Sequence, residues 1–268
     1  MTDYPSSIGT SDATSITLLG RDLPADLMGE VGFGELAFWL VAMRRPSSGE
    51  RRLFETVLVA LADHGFTPTV IAARMTLTGA PEALQGALAA GLLGGGSRYL
   101  GVTEDCGRFL TAALAAHGGP PPRGEDEWDD LARDAVRREH AAGRLVPGLG
   151  HPMHKDGDPR TPVLMRIAGE EDLLGPHLRL LAAVGRVHAE ILGRTLPVNG
   201  AGVCGAALAD LGFPPEVLRG FALLARTAGL LGHLAEEIRL PVAPAIYHDV
   251  ERSVRYSSPP PEVDRAGG

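Results

Sequence analysis

Apolar residues recur along most of this chain at the three- and four-residue spacing that gathers them on one face of an α-helix. Residues 33–45 carry Leu36, Phe38, Leu40, Val41 and Met43, and residues 51–64 carry Leu53, Phe54, Val57, Leu58 and Leu61 in that register. The same pattern predicts helices over about 68–77, 81–93, 102–116, 126–142, 162–168, 175–192, 202–211 and 214–238. Several of them open with a proline or an acid in the first turn, as helix N-termini prefer. Alternating β-branched runs are nearly missing, and only residues 15–19, leading to Gly20, predict a short hairpin. The fold class that follows is all-α.

Breaks in the pattern are equally legible. His117 is followed by Gly118, Gly119 and a run of prolines, which reads as a turn or linker. The charged stretch 123–138 then reads as the solvated face of a helix. The Pro-, Ser- and Gly-rich tail 257–268 is expected to be disordered. At 268 residues, with 44% hydrophobic and 22% charged positions, the chain has room for one large domain or two interlocked ones. No apolar run reaches the roughly 20 residues that span a bilayer, and the first fifteen residues lack the basic start and apolar core of a secretory signal. A cytoplasmic protein is expected. The net charge of −8 argues against broad binding to nucleic acid, so an anionic ligand would have to be gripped locally. Cys106 and Cys204, far apart and flanked by small or apolar residues, suggest buried free thiols, neither a disulfide framework nor a metal cluster.

Four patches carry candidate chemistry. The densest is the segment from Gly148 to Arg160, which holds His151, His154, Lys155 (the chain's only lysine), Asp156, Asp158 and Arg160 behind a turn of Gly and Pro. Loops of this composition place polar groups at a surface or cleft. The second patch, Ala62-Asp63-His64-Gly65, ends an apolar helix. There His64 is either a functional group or a histidine interacting with the helix C-terminus, with Gly65 as the stop. The third, Gly94-Gly95-Gly96-Ser97-Arg98, lacks the strand and the Lys-Ser/Thr of a phosphate loop and reads as close helix packing. In the fourth, Arg226 lies within an apolar helix, where a guanidinium requires an anionic partner, supplied by the protein or by a substrate carboxylate. His151 and His154 do not read as a metal pair, because Pro152 opposes a helix there and no further ligand is suitably spaced. No metal is expected.

Taken in order, these patches resemble the citrate synthase superfamily, and most closely its short branch of citryl-CoA lyases and the lyase module of ATP-citrate lyase. The likeness runs from Gly20-Arg21-Asp22-Leu23 and the segment 28–38, through 61–65 and 91–98, to Val146-Pro147-Gly148-Leu149-Gly150-His151 with Asp158-Pro159-Arg160, and on through 199–205 and 226–233. It implies a two-domain helical fold with a cleft between domains and a homodimer. Residues 1–66 and 207–256 would form the large, dimerising domain and 67–206 the small, CoA-binding one.

The resemblance also implies roles. His64 would hydrogen-bond the thioester carbonyl, and His151 would exchange a proton with the tertiary hydroxyl. Arg160, Arg226 and Asn199 would bind the substrate carboxylates and their surroundings. The backbone of Val146, Pro147, Gly148, Leu149 and Gly150 would cup the CoA adenine; from its charge and place alone, Lys155 is read as near a CoA phosphate. His154 would be an outer or surface residue. The implied reaction is aldol-type cleavage of citryl-CoA, or a related 3-hydroxy-3-carboxyacyl-CoA, to an acyl-CoA and a 2-oxo acid such as oxaloacetate. The CoA thioester is then a substrate, and no tightly bound cofactor, nucleic acid or membrane partner is implied. The alternatives are a condensing enzyme with a non-standard substrate and a CoA-thioester-binding protein without turnover.

One departure stands out. The family's catalytic aspartate sits in an Asn-x-Asp-Gly pattern, whereas here Asn199-Gly200-Ala201-Gly202 puts Ala201 in its place. No Asp or Glu lies between Glu190 and Asp210 to substitute, and Cys204 is the only thiol at hand. Alanine cannot move a proton, and a positioned acid or base is typically worth a factor of 10²–10⁴ in rate. Cleavage tolerates this loss better than condensation, which must first remove a carbon-bound proton.

Overall fold

Eleven α-helices make up most of the computed structural model, which describes residues 3–258. They are α1 (Phe33–Ala42), α2 (Ser48–Ala62), α3 (Pro68–Gly79), α4 (Leu84–Leu100), α5 (Val102–His117), α6 (Glu125–Ala141), α7 (Arg160–Glu170), α8 (Pro176–Leu192), α9 (Gly200–Asp210), α10 (Pro215–Arg239) and α11 (Ala243–Ser253). The class is all-α, as the periodicity predicts. Of the tail expected to be disordered, residues 259–268 lie outside the described ones.

Two elements go beyond the sequence pattern. The short hairpin is a three-stranded antiparallel sheet of β1 (Gly9–Ser11), β2 (Ile16–Leu18) and β3 (Arg21–Asp22). The first strand is small, polar and wholly exposed, so it carries no alternation to read. Helix α11 buries only Ala243 and leaves Tyr247 and Val250 exposed. No helix among the described residues is long and apolar enough to cross a membrane.

By packing, the chain forms two compact units. The first comprises the residues up to Gly65 and Gly95–Gly229, the second Phe66–Gly94 and the chain from Leu230 onward. This boundary differs from the expected split, which placed 67–206 in one small domain. Residues 95–206 instead share a core with α2, because α5, α7, α8 and α9 all pack around it.

In the first unit, Ser47 and Glu50 form a reciprocal capping box that starts α2. The helix then turns Leu53, Phe54, Val57 and Leu61 inward. Phe54 meets Phe38 and Phe221 edge-on at 5.4 and 5.1 Å between centroids, geometries that aromatic quadrupoles favour. Helix α9 is almost entirely buried and is built of Gly, Ala and Val. A side chain at Gly205 would stand 2.2 Å from the Thr103 carbonyl oxygen of α5, so the two backbones meet only because that position is bare. The charged α6 buries Trp128, Leu131, Ala132, Ala135 and Val136 and exposes its ions, as predicted. Its pairs with α8, Arg133–Glu190 at 3.0 Å and Asp129–Arg186 at 2.6 Å, are exposed and add little stability.

The second unit has its own small core of Val70, Ala73, Leu77, Ala87, Leu230 and Leu234. Gly91 packs here, where a Cβ would lie 3.0 Å from both the Ala73 Cβ and the Thr69 carbonyl oxygen; in the predicted glycine-rich patch, a Cβ on Gly94 would lie 3.1 Å from the Ala72 Cβ, whereas one on Gly96 would meet nothing within 4 Å. Arg74 is fully buried, donating to Glu237 at 2.7 Å and also pairing with Glu236. The other Glu237 oxygen accepts the N–H groups of Val242 and Ala243, which start α11. The buried cation is tolerated because its two terminal nitrogens face these carboxylates, although its Nε has no hydrogen-bond partner.

Phe54→Ala removes the ring at the centre of the larger core. It should lower unfolding free energy by about 3–5 kcal/mol, read from the denaturant midpoint. A loss below about 1 kcal/mol would show that the aromatic cluster is not what the first unit is packed on.

Candidate active site

The site is assembled within the first unit from four places in the chain. Helix α2 ends at Ala62, Asp63 turns extended as its C-cap, and Gly65 adopts φ +70° while donating its N–H to Asp63 Oδ2 at 2.9 Å. Glycine suits that left-handed position, and the tight turn holds His64. Helix α10 passes directly against this corner. A Cβ at Gly229 would sit 2.0 Å from the Ala62 carbonyl oxygen, so glycine is required for the approach that brings Arg226, one turn earlier, to the same place.

The loop from Gly143 to Pro159 is fastened to the start of α9. Gly148 and Gly150 have φ of +88° and +81°. The Gly150 N–H donates to Pro197 O at 2.7 Å, and the Asn199 N–H to Gly148 O at 2.9 Å. Asn199 Nδ2 donates to Gly150 O at 2.9 Å, while its Oδ1 accepts the Gly202 N–H at 2.8 Å as the N-cap of α9. Asn199 is 6% exposed and engaged at both ends of its amide. Asn199 thus shapes the loop and caps α9. The same bonds turn much of the 148–150 backbone inward, and the Val146 side chain is buried.

Asp158 is the anchor of this arrangement. It is 3% exposed, receives Arg160 Nε–H at 2.9 Å and Nη2–H at 2.7 Å, and accepts the Gly200 N–H at 2.7 Å. Burial pushes its carboxyl up, but the hydrogen bonds from Arg160 and Gly200 outweigh burial and hold it far below the carboxylate range. Arg160 spends a third N–H on Ala60 O at 3.2 Å. Of a guanidinium's five N–H donors it thus keeps two for a ligand.

Three imidazoles meet beside this clamp. The ring centroids of His64 and His151 are 5.1 Å apart, those of His64 and His154 5.4 Å, and His151 stacks on His154 at 4.4 Å and 29°. His154, expected at the periphery, is a full member of the cluster. The turn at Pro152 brings residues three apart onto each other, a juxtaposition that helical spacing rules do not reveal. The backbone N–H groups of Met153 and His154 both donate to His151 Nδ1, at 3.1 and 3.0 Å. An amide N–H can only donate, so Nδ1 carries the lone pair and neutral His151 carries its proton on Nε2. Burial first, then the nearby His154, push His151 below the ordinary histidine pKa, so the neutral form is favoured.

The ring nitrogens of these three residues lie within 4.8 Å of one another, and they are the group among the described residues that could hold a metal. The donor set fits one poorly. A metal-bound histidine normally donates its second N–H outward, whereas His151 Nδ1 accepts from two backbone N–H groups.

Arg226 is the other chemical feature. It is 7% exposed, and its Nε is buried without a hydrogen-bond partner. Burial lowers its pKa, with the Asp63 carboxylate opposing and Arg160 reinforcing that shift. A buried guanidinium requires an anion nearby, and the Asp63 carboxylate is one such charge. Lys155 is exposed at the loop tip. Cys106 and Cys204 are free and buried, and burial pushes the Cys204 thiol up to about 12, which leaves it inert as an acid or base. Ala201, in the first turn of α9, packs against the main core.

Residues 24–243 match the family model described as citrate synthase, C-terminal domain. The probable ATP-citrate synthase subunit 1 of Schizosaccharomyces pombe is 29% identical over 229 residues, which is 79% of this chain and 35% of that protein. The chain spans about a third of the length of the curated relatives it matches. Among solved structures, citryl-CoA lyase from Hydrogenobacter thermophilus superposes with a TM-score of 0.83 at 29% identity, covering 96% of both chains. ATP citrate lyase from Methanothrix soehngenii, solved with citrate and coenzyme A, shares the fold at a TM-score of 0.79 and 22% identity, over 100% of this chain and 44% of that one.

Because the folded state lowers the Asp158 pKa, the stability this group adds is complete above the unfolded carboxylate value of about 3.9 and is lost as pH falls through the folded value. Asp158→Asn should flatten that acid-side loss. It should also cost about 3 kcal/mol at neutral pH by leaving Arg160 without its bidentate partner. Chemical denaturation of both proteins across pH 2–7 measures the two effects, and parallel curves would exclude the clamp.

Proposed function

Since the chain belongs to the family of the citrate synthase C-terminal domain, we propose that it cleaves citryl-CoA, or a related 3-hydroxy-3-carboxyacyl-CoA, into an acyl-CoA and a 2-oxo acid such as oxaloacetate. What carries this reading is the end-to-end likeness to a citryl-CoA lyase, over 96% of both chains.

The geometry supplies matching parts. In this reading His64 hydrogen-bonds the thioester oxygen and steadies the enolate that forms as the carbon–carbon bond breaks. A positioned donor in a dry site is strong where charge develops. In this reading His151 donates Nε2–H to the tertiary hydroxyl oxygen, the future carbonyl, rather than taking the hydroxyl proton itself. Its free lone pair is on Nδ1, which faces the backbone donors of Met153 and His154. Arg226 and the two remaining N–H groups of Arg160 receive the carboxylates in charge-assisted bonds. In this reading the 146–150 turn cups the CoA adenine and Lys155 meets a CoA phosphate.

Ala201 favours a second reading, in which the chain binds CoA thioesters without turnover or condenses an acyl-CoA with an unusual 2-oxo acid. Exchange of acetyl-CoA methyl protons in deuterated water separates a working enolisation site from a binding site.

Purified protein should release oxaloacetate from citryl-CoA above the uncatalysed background, and no release would reject that substrate. Arg226→Met should raise KM about 10- to 100-fold, the worth of one or two lost hydrogen bonds to a charged group, with kcat little changed. If activity on citryl-CoA arises only in Ala201→Asp, the natural substrate is a different one.

A further inference from the structure

The geometry points to His154 as the group that moves the proton in this site, taking it from the substrate hydroxyl and delivering it to the carbon released by cleavage. This rests on the lyase reading above and adds a residue that the resemblance places outside the chemistry.

Three observations converge on it. First, the usual carriers are missing or occupied. Position 201 is alanine, Cys204 is sealed in the core, and Asp158 is held ionised by Arg160 and the Gly200 N–H. Second, His151 is fixed as a donor. Two backbone N–H groups hold its Nδ1 lone pair, so a proton arriving from the substrate side finds Nε2 already protonated. Third, His154 stands where a carrier is needed. Its ring is half-buried, stacked on His151 at 4.4 Å and edge-on to His64 at 5.4 Å. Its backbone N–H is one of the two that fix the His151 tautomer, so one residue orients the neighbouring donor and presents an imidazole next to it.

The step balances with a single proton. Neutral His154 takes the hydroxyl proton, and the O–H electron pair becomes the carbonyl bond of the 2-oxo acid. The bond between the carbinol carbon and the methylene carbon breaks. Its electron pair passes into the thioester as an enolate whose oxygen His64 holds. The His154 imidazolium then gives the same proton to the methylene carbon, forming the methyl group of the acyl-CoA and restoring neutral imidazole. Hydroxyl oxygen and methylene carbon are bonded to one carbon, so one ring nitrogen can serve both. No second acid is needed, and the alanine at 201 becomes compatible with turnover.

The test is steady-state cleavage of citryl-CoA by the wild-type chain, His154→Ala and His154→Gln, with circular dichroism to confirm folding. Both variants should lose at least a hundredfold in kcat with KM within about threefold, in keeping with the loss of a general acid–base. Added imidazole should recover at least tenfold in His154→Ala, and Ala201→Asp should restore His154→Gln by supplying a carboxylate carrier, neither of which a merely structural role would allow. If the wild type cleaves citryl-CoA and either variant keeps more than a tenth of its kcat, or neither rescue works, the His154 role is overturned and the lyase reading stands. If the wild type releases no oxaloacetate, the lyase reading and the His154 role fall together.

Discussion

The buried carboxylate of Asp158 is the constraint on which the site depends. It ties Arg160 at the start of α7 to Gly200 at the start of α9 and so pins the loop between Gly148 and Pro159 at its far end. Asn199 pins the near end through Gly150 and Gly202. With both ends fixed, the turn at Pro152 has little freedom, and His151 and His154 stack as a consequence. The charges that make this clamp strong also spend most of its polarity internally. What the loop offers a ligand is the remainder: imidazole edges, two N–H groups of Arg160 and an exposed lysine.

A second constraint is the absence of side chains. Gly229 lets α10 touch the end of α2, Gly205 lets α9 lie against α5, and Gly200 makes room for the Arg160 guanidinium, whose Nε would be 2.4 Å from a Cβ there. The first two are close backbone approaches that any larger residue would prevent, and the third is space for a side chain. Reactive groups from distant segments converge because the helices carrying them are bare at their crossings. The site's precision is therefore a property of helix packing as much as of its loops.

Much of this was legible in the sequence. Helical periodicity located ten of the helices, because their apolar faces are buried in register, and it missed α11, whose apolar residues are mostly exposed. His64, His151, Arg160 and Arg226 could be picked out because histidines and arginines beside Gly turns or inside apolar helices need a chemical reason. The hydrogen bonds that redefine their tasks could not be read. Nothing in the order of residues shows that Asn199 is consumed by capping, that Asp158 already occupies Arg160, or which nitrogen of His151 bears the proton. Those facts arise from backbone groups, which are identical at every position and acquire direction only in three dimensions. The place of His154 was hidden for the same reason, since a non-helical turn decides what residues three apart can touch. The packing units could not be read from the order of residues, because α2 packs on α7 and α9, which are distant from it in sequence.

Arg226 leads to one more point. The cost of stripping water from its guanidinium is met when the chain folds, before any ligand arrives. Under the proposed function, an incoming carboxylate would meet a cation already dry, and its binding would add to the stability of the protein that holds it. Affinity and robustness are thereby set against each other at a single residue. Selection for a hardier empty protein would erode the grip on its anion, and a chain kept for that grip must live closer to its unfolding threshold whenever the site is vacant.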